Sequence, residues 1–384
     1  MKKSFSSLIR ILTVGGILTV SGFMSASLAA GAPQIVVGQV APLSGLEGYQ
    51  GRAYSTGIQL ALNKANTAGG VNGHTFSLVR KDDAGRPAET MAATKLLLAE
   101  NHPLVLAGYF GDSNIAELVN SKLLVKEKLA LVGYRINDIR EEMPMVYSVR
   151  ASLKDEITKL VDHMSTVGFT RMGLFYQEGP GAAALMGAVE EVAKKKGIKL
   201  TVKGSYAPGT AKVTNAVVDS FIAAAPQAII MVTSGSAAAA FIEKYRLDNG
   251  AAKLFTHSGT DVEQISQRLA EVHMKGLAIT QVTPNPYKVS SKLTKEFSDI
   301  VAKTPKLEVP VSYVMLEGYI AGSVIVEAAR RMGPKVSREG FVAALESIET
   351  LDLGGYKVGY KPGMHSGSKF VELSIITDAG QIRQ

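Results

Sequence analysis

The sequence predicts an α/β protein built as two doubly wound parallel-sheet lobes joined by a three-crossing hinge. Short apolar runs alternate with longer amphipathic stretches from Gln34 onward, the pattern of parallel strands joined by crossover helices. That alternation restarts once near the middle of the chain. About 355 residues remain beyond an N-terminal leader of the 384-residue chain, more than a single core organises.

Each element follows from its local pattern. The first unit reads as strand 34–40, helix 52–68, strand 77–81, helix 87–100, strand 103–107, helix 114–126 and strand 129–132. Between its first helix and second strand, Gly69, Gly70 and Gly73 permit positive φ and shape a turn. Asp82 and Asp83 read as braces for the loop that follows. The second unit reads as helix 154–167, strand 171–175, helix 182–196, strand 199–206, helix 213–224, strand 228–233, helix 237–247 and strand 253–256. Three helices then follow with little strand between them, at 290–303, 311–331 and 338–347, before closing strands at 355–360 and 370–377. Helices without a sheet need one to pack on. The simplest solution sends them back to the first lobe and the final strands to the second, with crossings at 147–149, 281–283 and 350–352. The expected lobes are therefore 30–148 with 283–350, and 149–282 with 351–384. Several strands crossing at one edge make a hinge.

Residues 1–29 read as a cleaved signal peptide. Lys2, Lys3 and Arg10 give a positive start, an apolar run covers 9–20, and small residues surround a cleavage point near Ala29. The run is too short for a membrane span of roughly 20 apolar residues. Cysteine is absent, which excludes disulfides, thiolate metal sites, a cysteine nucleophile and a lipid-anchored cysteine. The formal charge is +8, or about +5 without the leader, and basic residues are dispersed among acids. This balance excludes a nucleic-acid stripe.

Enzyme chemistry finds no support. No G-x-G-x-x-G follows the first strand, which weakens an oxidoreductase reading, and neither a phosphate-binding G-x-x-x-x-G-K-[ST] nor a G-x-S-x-G elbow occurs. The S-x-x-K match at Ser366 and Lys369 lacks its companion motifs. His74, His102, His163, His257, His273 and His365 never pair four residues apart, so no metal and no cofactor is expected. His257 falls in a loop where a hydrogen-bonding role is expected.

Ligands of open α/β sheets bind beyond the carboxyl ends of the strands. Those loops carry Tyr49, then Gly111, Asp112 and Ser113, then Tyr134, Arg135 and Ile136 in the first lobe. The second lobe offers Tyr176 and Glu178, then Ser234, then Ser258 and Asp261. The run Pro42-Leu43-Ser44-Gly45, the element Asn66-Thr67-Ala68-Gly69-Gly70-Val71-Asn72-Gly73 and the pair Asp82-Asp83 resemble the opening of the type I periplasmic binding proteins. Within these, the likeness is to the leucine/isoleucine/valine-binding family serving branched-chain amino acid ABC transporters. It extends through Val149-Arg150-Ala151-Ser152, Thr280-Gln281-Val282-Thr283-Pro284 and Leu316-Glu317-Gly318-Tyr319.

The resemblance implies that a ligand carboxylate is held by a hydroxyl and backbone N–H groups from the loops after the third and fourth strands. Ser113 retains a hydroxyl there. Asp112 serves either as the N-cap of the following helix or as a ligand contact. Arg135 departs from the small or hydroxyl residues usual at its place; its guanidinium either grips a carboxylate or pairs with Asp138 or Glu141. On the first reading, truncating Arg135 weakens binding and leaves stability unchanged. The acid that receives an α-ammonium in the family is replaced near Ser258 and Gly259, with Glu178 and Asp261 as substitutes, and an α-ammonium is not expected to be required. Tyr49, Tyr134 and Tyr176 either stack on the ligand or pack at the rim.

The expected function is that of a monomeric periplasmic substrate-binding protein, capturing a small carboxylate-bearing solute by hinge closure and presenting it to an ABC permease. A sensor unit for a chemoreceptor or kinase would use the same closure, and neighbouring genes would separate the two.

Overall fold

A computed structural model describes residues 32–137, 143–377 and 382–383; the expected leader at 1–29 lies outside them. The chain opens with β1 (Gln34–Ala41), α1 (Gly48–Thr67), β2 (Thr75–Asp82), α2 (Pro87–Asn101) and β3 (Val105–Phe110). Then come α3 (Asp112–Asn120), α4 (Leu123–Lys126), β4 (Leu131–Arg135) and β5 (Val146–Tyr147). The second pass holds α5 (Leu153–Thr166), β6 (Arg171–Gln177), α6 (Ala182–Lys195), β7 (Lys199–Tyr206) and α7 (Asn215–Ala224). It continues through β8 (Ala228–Val232), α8 (Gly235–Leu247), β9 (Lys253–Thr256), a 3-10 turn (Ser258–Thr260), α9 (Val262–Arg268), α10 (Glu271–Met274) and β10 (Ala278–Gln281). Last are α11 (Lys292–Lys303), α12 (Tyr313–Met332), α13 (Arg338–Glu346), β11 (Leu351–Asp352), β12 (Lys357–Val358), β13 (Glu372–Ile376) and β14 (Ile382–Arg383).

The first sheet runs β2-β1-β3-β4-β5, all parallel. The second runs β14-β13-β10-β9-β8-β6-β7 and is parallel except at β13 and β14. Strand order reverses between β1 and β3 in one sheet and between β6 and β8 in the other. A crevice opens at each reversal, outside the carboxyl ends of the strands.

Helices start where the sequence supplies caps. Ser152 and Asp155 form a capping box on α5, and the Ser312 hydroxyl accepts the Met315 N–H at the start of α12 at 3.1 Å. The helix expected at 114–126 is broken instead. Ser121 donates its hydroxyl to Leu118 O and accepts the Leu123 N–H, so the side chain competes with the helix ladder, and Lys122 turns to φ 57°. The strand expected at 355–360 shrinks to β12, because Asp352 accepts the N–H groups of Gly354 and Gly355 and holds a tight turn before it.

α11, α12 and α13 share the first core: Phe297, Leu316, Ile320, Val324 and Phe341 pack with Ile35, Val37, Ile58 and Leu62. The hairpin β11–β12 stays there too, through Tyr356, Val358 and Tyr360. The third crossing therefore runs through Gly367 and Ser368, beside the first crossing, and not through 350–352; Ser148 bridges Ser366 in parallel. Tyr356 fastens the hinge, its phenol lying 2.8 Å from Val149 O and 2.9 Å from Val282 O. Tyr360 donates to Ser148 O at 2.8 Å.

α1 and α12 approach through glycine. A Cβ on Gly57 would collide with Met315 O, and one on Gly318 with Tyr54 O. Backbone cannot yield as a flexible side chain does, so Gly57→Ala or Gly318→Ala should lower the unfolding free energy by about 3 kcal/mol. Urea denaturation measures this, and an unchanged midpoint in both variants would refute the close packing.

Candidate functional site

The loops at the two reversals meet. Asp112 Oδ2 accepts Gln177 Nε2 from the second lobe at 3.1 Å, while its Oδ1 accepts Asn137 N at 2.7 Å. Gln50, on α1, donates Nε2 to Gln264 Oε1 on α9 at 2.6 Å. Arg135, at the end of β4, donates NH2 to Ser258 O at 3.0 Å. These bonds bring the two sheets' carboxyl ends face to face.

Beneath them lies a buried group of four charges. Arg135 NH1 is 2.5 Å from Glu317 Oε2, Arg150 NH1 is 3.6 Å from the same oxygen, and Arg150 NH2 is 2.9 Å from Glu156 Oε1. Two cations and two anions cancel. Glu156 also accepts Ser258 N at 2.8 Å and Thr280 Oγ1 at 2.7 Å. Burial acts to raise its carboxyl, but Arg150 and these donors hold it below its ordinary value. Burial acts to lower the Arg150 guanidinium, and Glu317 and Glu156 reverse that and raise it. Ser258 closes the group by bonding both Arg150 and Glu156. His257 sits against it: burial, with Arg150 and Arg135 nearby, lowers its imidazole to about 4 despite Glu156. Its Nδ1 accepts the Gly259 N–H at 3.2 Å, the hydrogen-bonding role expected of it.

For Arg135, the structure shows partners that neither expected reading named: its fork reaches Glu317 and Ser258, while Asp138 and Glu141 lie outside the described residues. Among the described residues, Arg135 Nε, Arg150 NH1, Glu317 Oε1 and Tyr54 OH remain buried without a hydrogen-bond partner.

A second anionic feature sits at the start of α9. Asp261 caps that helix, its Oδ1 accepting Glu263 N at 3.1 Å and Gln264 N at 3.3 Å, with φ at 61°. Asp261 Oδ2 and Glu263 Oε2 are buried and find no donor among the described residues apart from what the two carboxyls offer each other. Burial first, then the Glu263 charge, pushes the Asp261 carboxyl well above the usual range. Glu263 Oε1 accepts Tyr287 OH at 2.5 Å and Tyr313 N at 3.0 Å. Tyr49 stands beside both acids, its phenol raised by burial and then by their charges.

The remaining expected residues divide. Gly111 adopts φ 95° and donates its N–H to Arg135 O at 3.0 Å. It is also the N-cap of α3, so Asp112 is the first helical residue and not the cap. Ser113 is half-buried on that first turn. Tyr134 and Ile136 pack against the cluster of α3 and β4, and Tyr176 against that of α5 and α6. Ser234 caps α8 and accepts Ala237 N at 3.4 Å. Glu178 stands apart, exposed, with its carboxylate on Ser205 Oγ at 2.7 Å. Glu47, Gln50, Gln177 and Ser236 lie in the loops expected at the cleft but were not singled out, and Gln264 lies outside them, because each takes its role from a partner distant in the chain. Arg150 and Glu317 lie in runs that carried the family likeness, so a signal existed for them.

Two measurements test the charge group. Removing one partner strands the others in a dry interior, so Arg135→Ala should cost about 3 to 5 kcal/mol of stability in thermal or urea unfolding. Cost-free truncation would contradict the pairing. For His257 the native value lies below the unfolded value of 6.5, so its contribution is full above pH 6.5 and is lost as pH falls through about 4. The loss amounts to about 3 kcal/mol. Urea unfolding at pH 7, 5.5 and 4.5 should show a steeper decline in the wild-type chain than in His257→Asn; parallel declines would exclude a buried neutral imidazole.

Comparison with known proteins agrees with the architecture. Residues 34–369 match the model of a periplasmic binding protein family. A substrate-binding periplasmic protein from Ralstonia solanacearum has a TM-score of 0.85 at 31% identity, over 91% of this chain and 99% of its own. The Leu/Ile/Val-binding protein homolog 7 of Brucella melitensis is 23% identical over 362 residues, 88% of this chain and 87% of that protein. An amino acid binding protein of Pseudomonas aeruginosa is 33% identical over 97 residues, which is 25% of this chain and 26% of that protein. With two doubly wound lobes, paired reversal crevices and a match spanning both, the chain belongs to the type I periplasmic binding protein family.

Proposed function

We propose that this chain is the substrate-binding component of an ABC importer of the branched-chain amino acid type. It works outside the cytoplasmic membrane as a monomer, with no catalytic step. Its solute is a small carboxylate-bearing molecule, an amino acid or an organic or aromatic acid, enclosed by closure about the three crossings. One observation carries the reading: the two reversal crevices face each other, with hydrogen-bond donors on one wall and an unsatisfied acid on the other. On the first lobe, the Ser113 hydroxyl and the N–H groups opening α3 suit a carboxylate, helped by the positive end of the helix dipole. On the second, Asp261 Oδ2 suits an ammonium, which would stabilise the ionised acid that burial otherwise disfavours. The names of the Brucella and Pseudomonas relatives point the same way, toward an amino acid. Arg135 takes a positioning role, holding the Ser258 turn of the second lobe against β4.

Thermal-shift screening with amino acids, their deaminated analogues and aromatic acids tests this. A ligand at 100 times its Kd should stabilise the protein by about 2.7 kcal/mol. The scattering radius should fall on saturation, Ser113→Ala should weaken binding about tenfold, and Asp261→Asn should impair amino acids more than their deaminated analogues. If no carboxylate raises the melting temperature, or if saturation leaves the radius unchanged, the reading is wrong.

A further inference from the structure

One loop of the first lobe is strapped to the second lobe by groups that bond to one another across the interlobe contact. Gln264, 1% exposed at the start of α9, is the centre of it. A glutamine amide offers two N–H donors and one carbonyl. Here Nε2 donates to Leu46 O at 2.7 Å and Ser236 Oγ at 3.4 Å, and Oε1 accepts Gln50 Nε2 at 2.6 Å. The other N–H of Gln50 goes to Glu47 Oε2 at 2.9 Å. Glu47 Oε1 in turn accepts Ser236 Oγ at 3.3 Å, and Arg268 NH2 reaches Leu46 O at 3.0 Å. The segment from Leu46 to Gln50 is thus held by α8 and α9 of the opposite lobe.

The local backbone is shaped for this contact. Gly235, the first residue of α8, lies where any Cβ would come within 2.5 Å of both Gln264 Oε1 and Thr260 O. Thr260 O is main chain and cannot move aside cheaply. The α8 terminus therefore needs a glycine for Gln264 to lie flat across it.

We propose that Gln264 and Gln50 form a closure latch: a positioning pair that holds the lobes together without touching the solute and gives the closed state a population of its own. Hinge closure by a solute supplies contacts between solute and both lobes; the latch supplies contacts between lobe and lobe. The two contributions are separable. Because every polar atom of the Gln264 amide is engaged within the protein, the latch acts on the equilibrium between open and closed forms and leaves the solute's own hydrogen bonds unaltered.

The cysteine-free chain allows a direct test with no ligand added. Leu96 on α2 and Leu247 on α8 are exposed, at 47% and 63%, and lie on opposite lobes. Cysteines placed there and spin-labelled report the interlobe distance by pulsed electron resonance. The otherwise wild-type chain should show a distinct closed population. Gln264→Ala should lower the ratio of closed to open forms about tenfold, as the loss of one or two net hydrogen bonds requires. Gln50→Ala, made from the other lobe, should lower it as well, and the double variant should fall little below Gln264→Ala, because the bond Gln50 makes to Gln264 is already lost there. Gly235→Ala should reproduce the loss with both glutamines intact. Melting curves identify variants that fail to fold, and the Gln50 and Gly235 changes each test the pair alone. A labelled chain with no closed population, additive losses in the double variant, or folded variants with the wild-type distribution would each overturn the latch. No solute enters the experiment, so its failure leaves the proposed transport role standing, and failure of that role leaves the latch intact.

Discussion

Two arginines and two glutamates, taken out of water together, set the terms for the rest of this molecule. Arg135 comes from the end of a first-lobe strand, Glu317 from a late helix, Arg150 from the first crossing and Glu156 from the first helix of the second lobe. None of the four is tolerable alone in a low-dielectric interior, where desolvation costs several kcal/mol per ion. Each therefore requires the other three to arrive, and their meeting fixes where the crossings lie relative to both sheets. Ser258 and Thr280 complete the solvation of Glu156, which draws the ends of β9 and β10 to the same point.

That constraint changes the chemistry available at the cleft. A guanidinium beside a binding loop suggests a receptor for carboxylates, and residue type alone supports the idea. Geometry points elsewhere, because both terminal nitrogens of the fork already serve Glu317 and Ser258. In the proposed function, recognition falls to quieter groups: a serine hydroxyl, a helix terminus and a buried acid.

The fold was legible because its causes are local. Apolar runs of strand length, amphipathic stretches of helix length and the restart of their alternation are visible residue by residue, and so is the turn of Gly69, Gly70 and Gly73, all at positive φ. Asp82 could be read as a brace for the loop that follows because it stands next to it, accepting the Ala84 N–H; its bonds to the N–H groups of Leu43 and Ser44, in the loop after β1, were not legible in the same way. What stayed hidden was decided by side chains competing with backbone, as at Ser121, or by partners far apart in the chain. Nothing near Arg135 announces Glu317, and nothing near Gln50 announces Gln264. The third crossing was misplaced for a related reason. Tyr356 and Tyr360 pack in the first core, with hydroxyls bonded to Ser148, Val149 and Val282 at the crossings, and no local pattern announces those distant partners.

The glycine contact between α1 and α12 has a consequence for how the chain matures. α1 is among the first elements to be synthesised and α12 among the last, yet each is the other's principal partner in the first core. In chain order, every strand of the second sheet up to β10 comes between α1 and the helix that buries it. Long-range contacts of this kind slow folding, since loop closure must precede the burial that rewards it. The first core is thus complete only when the chain has passed through the second lobe and returned, and a chain ending before Tyr313 lacks the principal cover of α1.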